Sequence, residues 1–168
     1  NPIGGVYRYV PDGALEQIDS GLQFPNGVAV SPSGDAVYLA ETIPNHILRY
    51  AIAPDGTIGP REVFATMPPF RADGSAPTSD DELPAGGPDG MAFDEAGNLY
   101  VAYYGGGRVV IFAPNGSLAG EIPVPGQSVT NIAFGGADRR TVVITDVATG
   151  SLYTTQVDIP GLRLSSGV

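Results

Sequence analysis

The chain has 168 residues, 42% of them apolar, and its 24 glycines and 16 prolines are spread along its length, which is typical of a globular protein built from many short strands. Eight Lys and Arg residues against 18 Asp and Glu residues give a net charge of -10, which excludes the basic patch that nucleic acids or anionic membranes require. The absence of cysteine excludes disulfides and thiolate metal ligands, and leaves the compartment open.

In chain order, the first predicted element is a hairpin over residues 1–20, the outer half of a sheet. Residues 24–66 predict four short strands, and residues 67–86 are a polar, proline-rich insertion that we expect to be a surface loop, either a lid or simply solvated. Residues 87–124 predict four more strands, and residues 128–158 predict at least three.

Four antiparallel strands that recur about every 40 to 45 residues are the pattern of a β-propeller, in which each four-stranded sheet is one blade. We therefore predict an all-β fold, with the chain covering about three to three and a half blades.

One oxygen-bearing side chain recurs where each predicted blade begins. When the three inner hairpins are aligned on a shared alanine, Asn26, Asp89 and Thr130 occupy one equivalent position. Because the first strand of each blade lines the channel of a propeller, we expect Asn26 and Asp89 to converge at the channel mouth.

The second strand of each blade returns to the same rim, one strand spacing of about 4.8 Å further out. This places Glu41, Tyr103 and Asp146 in a second tier, where we expect them, with Thr130, to bind substrate. His46 is the only histidine, and because it opens a third strand we expect it to be exposed on a blade edge with a structural role.

A carboxylate and a carboxamide form a hard-oxygen environment that suits Ca²⁺ or Mg²⁺. The same residues also occur in ordinary turns, since Pro-Asn-Gly and Pro-Asp-Gly are common turn sequences. The spacing alone leaves both interpretations open.

The order of four segments resembles the SMP-30/gluconolactonase/LRE-like family. The segments are residues 24–31, 45–50, 87–94 and 129–136, which begin with Phe-Pro-Asn-Gly, Asn-His-Ile-Leu, Gly-Pro-Asp-Gly and Val-Thr-Asn-Ile. The resemblance implies a six-bladed propeller that holds one divalent cation in its channel and hydrolyses lactones.

The resemblance implies that Asn26 and Asp89 are metal ligands and that Asp89 is also the general base. The implied cofactor is one divalent cation, with Ca²⁺ in first place and Zn²⁺, Mn²⁺ or Mg²⁺ as alternatives, and the implied substrate is a sugar lactone or a similar small lactone or ester. The family's remaining ligands, a Glu and a second Asn, would belong to blades that precede Asn1.

Two other functional classes stay open. Residues 25–28 with 40–42 also suggest a strictosidine-synthase-like propeller that needs no metal, and the missing blades suggest a non-catalytic assembly module. Cation titration separates the first class from these two.

Three to three and a half blades cannot close a ring, and the flanks of the terminal blades would expose apolar surface. We therefore expect the 168 residues to be the C-terminal portion of a propeller. The expected partner is a set of N-terminal blades, with a second copy of the chain as the alternative.

Overall fold

The computed structural model describes residues 4–11, 13–70 and 86–163. In these ranges the chain forms thirteen β-strands and no helix. The strands are β1 (Gly4–Tyr9), β2 (Leu15–Leu22), β3 (Pro25–Val30), β4 (Ala36–Glu41), β5 (His46–Ile52), β6 (Ile58–Thr66), β7 (Gly87–Phe93), β8 (Leu99–Tyr104), β9 (Arg108–Phe112), β10 (Leu118–Pro123), β11 (Val129–Gly135), β12 (Thr141–Asp146) and β13 (Ser151–Gln156). Over the same ranges, no helix is long and apolar enough to cross a bilayer.

The strands form four antiparallel sheets, each of which follows the chain order. They are β1–β2, β3–β6, β7–β10 and β11–β13, with two, four, four and three strands. Within each sheet, every strand therefore pairs with the next one along the chain through a short turn, as in the blades of a propeller. The prediction of an all-β propeller with four-stranded antiparallel blades is confirmed.

The outer turns of the two four-stranded sheets have the same construction. Asp55 Oδ1 accepts a hydrogen bond from the Thr57 N–H at 2.9 Å, and Asn115 Oδ1 accepts one from the Ser117 N–H at 3.0 Å. The glycine that follows, Gly56 or Gly116, has a φ of 82° or 81°, which costs little only without a Cβ. These local contacts explain why the Pro-Asp-Gly and Pro-Asn-Gly sequences end one strand and begin the next.

The core consists of three apolar clusters, each of which lies between two neighbouring sheets. Strand β8 contributes to two of them, because Val101 and Tyr103 pack towards sheet β3–β6 while Tyr100 and Ala102 pack towards sheet β11–β13. Successive side chains of a strand point to opposite faces. A strand that is covered on both faces is therefore a continuous apolar run, as Leu99–Tyr104 is.

Strands β3, β7 and β11 open their sheets and lie side by side, β3 beside β7 and β7 beside β11. They are the inner strands, and together they form one wall of the channel. The starts of these three strands carry the recurring oxygens.

Candidate functional site

The structure brings Asn26 and Asp89 together at the starts of β3 and β7. Asn26 is exposed and Asp89 is half-buried. Burial raises the pKa of Asp89 to about 6, and the Gly90 N–H and the Asn26 side chain, which lie near the carboxylate, oppose that rise. The pair is thus a partly desolvated carboxylate with a neutral carboxamide partner.

Each inner strand has a β-bulge at the position of the recurring oxygen. In β3, Pro25 pairs with Glu41 and Val28 with Leu39, so β3 advances three residues while β4 advances two. The same irregularity lies between Pro88 and Met91 and between Val129 and Asn131. A bulge interrupts the alternation of a strand and redirects its side chains, which explains how Asn26 and Asp89 leave the sheet faces.

The glycines that follow Asn26 and Asp89 allow the inner strands to approach closely. A Cβ on Gly27 would lie 2.1 Å from the Asp89 carbonyl oxygen, and a Cβ on Gly90 would lie 2.0 Å from Asn131 Oδ1. No side chain fits at either position. Glycine inside a strand is the sequence signal that indicates a bulge or a close backbone approach, and it could have located both features.

Asn131 is a polar residue of the channel wall that the sequence analysis does not assign. Its side chain is exposed and lies against Gly90, next to Asp89. Its Oδ1 accepts a hydrogen bond from the Ile132 N–H at 2.9 Å. Alignment of the three inner hairpins places Thr130, the residue before Asn131, opposite Asn26 and Asp89. Asn131 is therefore missed by the alignment.

The second-tier residues lie where the antiparallel pairing predicts. Glu41, Tyr103 and Asp146 pair with Pro25, Pro88 and Val129, the residues that precede the recurring oxygens. All three side chains are buried. Their part in substrate binding stays a prediction.

The polar atoms of two second-tier residues are engaged within the fold. Glu41 accepts a hydrogen bond from the Gln23 N–H at 2.6 Å, and its other oxygen lies 2.7 Å from His46 Nε2. Asp146 accepts hydrogen bonds from the backbone N–H groups of Ser128 at 2.8 Å and Thr149 at 2.9 Å. Both carboxylates therefore hold the segments that approach the inner strands. The expectation that His46 is exposed is wrong, because its side chain is only 20% exposed and bonds to Glu41.

Tyr103 anchors the beginning of the predicted insertion. Its hydroxyl donates to the Pro68 carbonyl at 2.7 Å and accepts a hydrogen bond from Asn45 Nδ2 at 3.0 Å. Its ring stacks on Phe70 at 4.8 Å, and the Arg108 guanidinium lies 5.0 Å from the ring centre. Of the insertion predicted at 67–86, residues 71–85 lie outside the described part of the chain.

Thr130 bonds to the neighbouring strand rather than to the Asn26–Asp89 pair. Its hydroxyl lies 2.8 Å from the hydroxyl of Thr145, on β12. Thr130 thus lies at the equivalent bulge in sheet β11–β13, and its hydroxyl is hydrogen-bonded within that sheet.

The residues at this point fit a hard divalent cation in chemistry but supply only part of a coordination shell. Asn26 and Asp89 offer a carboxamide and a carboxylate, the oxygen ligands that Ca²⁺ and Mg²⁺ prefer. Among the described residues there is no group of three or more His, Cys, Asp or Glu side chains that could hold a metal. The described chain therefore provides two candidate ligands.

An apolar cavity of about 630 Å³ follows the three inner strands beyond the site. It is lined mainly by residues 28–32, 91–93 and 132–134. The first residue of each range comes two positions after a recurring oxygen, so the wall beyond the polar residues is mainly apolar, with Ser31 and Arg163 as polar exceptions.

Neighbouring sheets pack against one another, and the inner strand of each of the last three sheets carries an oxygen-bearing side chain at its bulge. This arrangement defines a β-propeller whose polar site lies at the channel. The SMP-30/Gluconolactonase/LRE-like region model matches residues 1–148, and the chain belongs to this family. The resemblance in the sequence is thereby confirmed.

Among similar proteins, a 6-deoxy-6-sulfogluconolactonase from Pseudomonas putida is 36% identical, with 94% of this chain and 54% of the relative covered. Pentonolactonase XacC from Haloferax volcanii is 32% identical, with 84% and 44% covered. A gluconolactonase structure from Xanthomonas campestris superposes with a TM-score of 0.65 at 29% identity, with 94% and 44% covered. The chain spans about half the length of the relatives it matches.

Proposed function

We propose that this chain carries the Asn26–Asp89 half of the active site of a lactone hydrolase that depends on a divalent cation, with Ca²⁺ in first place. One observation supports the proposal most: a half-buried carboxylate lies beside a carboxamide where two neighbouring inner strands each have a bulge. The names of the two curated relatives described above, both lactonases, support the same activity.

The substrate class that we propose is a sugar lactone. The two relatives described above are named a 6-deoxy-6-sulfogluconolactonase and a pentonolactonase. The separation of a polar end from an apolar channel wall suits a small ring whose ester group faces Asn26 and Asp89.

In this proposal Asn26 and Asp89 hold the cation through their side-chain oxygens. When bound, a divalent cation supplies Lewis-acid polarisation of the ester carbonyl. Asp89 takes a proton from the water that attacks this carbonyl, and a pKa of about 6 in the bare site makes its carboxylate a stronger base than an exposed aspartate. Contact with a cation favours the ionised form and weakens that base, so ligation is the firmer of the two roles.

The four residues predicted to bind substrate are assigned different parts. Thr130 has a partly exposed side chain and remains a candidate for substrate contact. Glu41, Tyr103 and Asp146 act on the substrate indirectly in this scheme, because their polar atoms hold the segments that surround the channel.

The test is a titration of the protein with Ca²⁺, Mn²⁺ and Zn²⁺ by calorimetry, together with hydrolysis of a sugar lactone. Asp89→Ala should reduce cation affinity by more than the roughly 10- to 100-fold typical of residues outside the ligand shell, and should abolish hydrolysis. Asp55→Ala, in an exposed turn, is the matched control and should leave both unchanged. Wild-type cation affinity in Asp89→Ala would remove Asp89 from the ligands.

A further inference from the structure

Thr42 is connected to both strands that carry the Asn26–Asp89 pair. It follows β4 directly and is only 3% exposed. Its backbone N–H donates to the Phe24 carbonyl at 3.1 Å, and its hydroxyl donates to the Pro88 carbonyl at 2.9 Å. Phe24 lies two residues before Asn26, and Pro88 lies immediately before Asp89. One buried residue therefore ties together the starts of β3 and β7.

The packing of Thr42 is as close as its hydrogen bonding. A Cβ on Gly87 would lie 2.2 Å from the Thr42 carbonyl oxygen and 2.6 Å from its Cγ2 methyl. The first residue of β7 thus lies directly on Thr42, at a position where only glycine fits. The Thr42 carbonyl and methyl both lie against Gly87, and the hydroxyl donates to the Pro88 carbonyl.

We propose that Thr42 is a positioning residue for the Asn26–Asp89 pair. This inference rests on the cation-binding function proposed above. Without the hydroxyl, the buried Pro88 carbonyl has no donor from Thr42, and the start of β7 moves to find one. Asp89 moves with it, because it is the next residue. A cation site needs its oxygens held within a fraction of an ångström. Loss of the Thr42 hydroxyl therefore weakens cation binding, although Thr42 is not a ligand.

The test compares Thr42→Val with Thr42→Ser. The Val variant keeps the shape and the methyl but removes the hydroxyl, whereas the Ser variant keeps the hydroxyl. By calorimetry, Thr42→Val should bind Ca²⁺ about 10- to 100-fold more weakly than wild type, as residues behind the ligands do, and Thr42→Ser should restore binding. Circular dichroism checks folding, and Thr42→Ala, which also removes the hydroxyl, replaces Thr42→Val if the latter does not fold.

Thr149→Val is the control for the loss of a threonine hydroxyl in another sheet, at an exposed position. It also removes a threonine hydroxyl that bonds within the fold, to Asp146 Oδ1 at 2.9 Å, but in sheet β11–β13. Its Ca²⁺ affinity should equal that of wild type. If Thr42→Val also binds Ca²⁺ like wild type while Asp89→Ala does not, Thr42 is not a positioning residue and the proposed function stands.

A measurement without cation separates the two proposals. In the NMR spectrum of the metal-free protein, the side-chain amide signals of Asn26 should shift in Thr42→Val and stay in place in Thr42→Ser and Thr149→Val. If wild type binds no divalent cation, the proposed function fails, and these signals alone decide the role of Thr42. Unmoved Asn26 signals in Thr42→Val would overturn that role.

Discussion

Asp89 is held in an environment that favours its neutral form. Its side chain is partly buried, and the two groups that oppose the effect of burial, the Gly90 N–H and the Asn26 side chain, carry no charge. Its pKa therefore rises from 3.8 to about 6. A group of this kind costs stability when ionised in the bare site, which is the usual cost of a functional carboxylate.

Asp89→Asn should make the cation-free protein more stable at pH 7.5. The folded pKa of about 6 lies above the unfolded value of 3.8, so the contribution of Asp89 to stability is fully present below pH 3.8 and is lost as pH rises through 6. The full shift would correspond to about 3 kcal/mol, which solvent screening of a half-exposed group reduces to about 1 kcal/mol. Urea unfolding in EDTA at pH 4 and pH 7.5 measures the difference.

The control for this pH dependence is Asp55→Asn. Hydrogen bonds from Thr57 lower the pKa of Asp55, so ionised Asp55 stabilises the fold and its replacement should act in the opposite direction. If Asp89→Asn and wild type differ in stability equally at pH 4 and pH 7.5, the carboxylate is not desolvated as described.

At the scale of the strand, the bulges of β3, β7 and β11 create the candidate site at the inner edges of the sheets. They leave Asn26 and Asp89 off the regular alternation, and the glycine after each one brings the neighbouring inner strand close. The bulges that shape β3 and β7 therefore also position the side chains of the candidate site.

Gly27→Ala should damage stability and cation binding together. The new Cβ would lie 2.1 Å from the backbone oxygen of Asp89, an atom that cannot move without moving the strand. We expect a loss of about 3 kcal/mol in the free energy of unfolding, measured by urea denaturation, and weaker Ca²⁺ binding by calorimetry.

Gly135→Ala is the matched control in the same kind of strand. A Cβ there would meet nothing within 4 Å, and Gly135 has no positive φ, so its stability should stay within about 0.5 kcal/mol of wild type. Equal effects of the two substitutions would show that close approach of β3 and β7 is not what Gly27 permits.

At the scale of the molecule, packed side chains hold the sheets to one another, and two isolated bridges, Tyr104–Ser128 and Asp94–Gly161, add backbone contacts. An aromatic chain joins sheets β3–β6 and β7–β10, with Tyr38 4.8 Å from Phe64 and 5.1 Å from Phe93, and Phe64 6.5 Å from Phe112, between ring centres. The next cluster joins β7–β10 to β11–β13. Because β8 supplies both clusters, the sheets should unfold together.

Val101→Ala and Val109→Ala should each lower the free energy of unfolding by about 2 kcal/mol. In both variants the chain should still unfold in a single transition. Both side chains are fully buried, but they lie in different inter-sheet clusters. Urea unfolding followed by tyrosine fluorescence and by circular dichroism should give coincident curves in both variants. Val63→Ala, at a position that is 58% exposed, should change little, and separate transitions for the two probes would contradict a single cooperative unit.

Much of this molecule can be read from local sequence. The alternating runs, the Asx-glycine turns and the repeat of the inner hairpin predict the strands and their meander, because strand alternation and turn geometry depend on neighbouring residues. The recurrence of Asn26, Asp89 and Thr130 at one position of the repeated inner hairpin predicts where the candidate site lies.

The tertiary structure decided what depends on contacts between distant segments. The positions of Glu41 and Tyr103 follow from pairing, and so does the contact of Glu41 with His46, its partner across the β4–β5 hairpin. The bonds of Glu41 to Gln23 and of Tyr103 to Pro68 do not, since they depend on how loops fold back. Likewise, no local pattern connects Thr42 to Pro88, which is 46 residues away. That contact, and the burial that shifts the pKa of Asp89, exist only once two sheets are packed together.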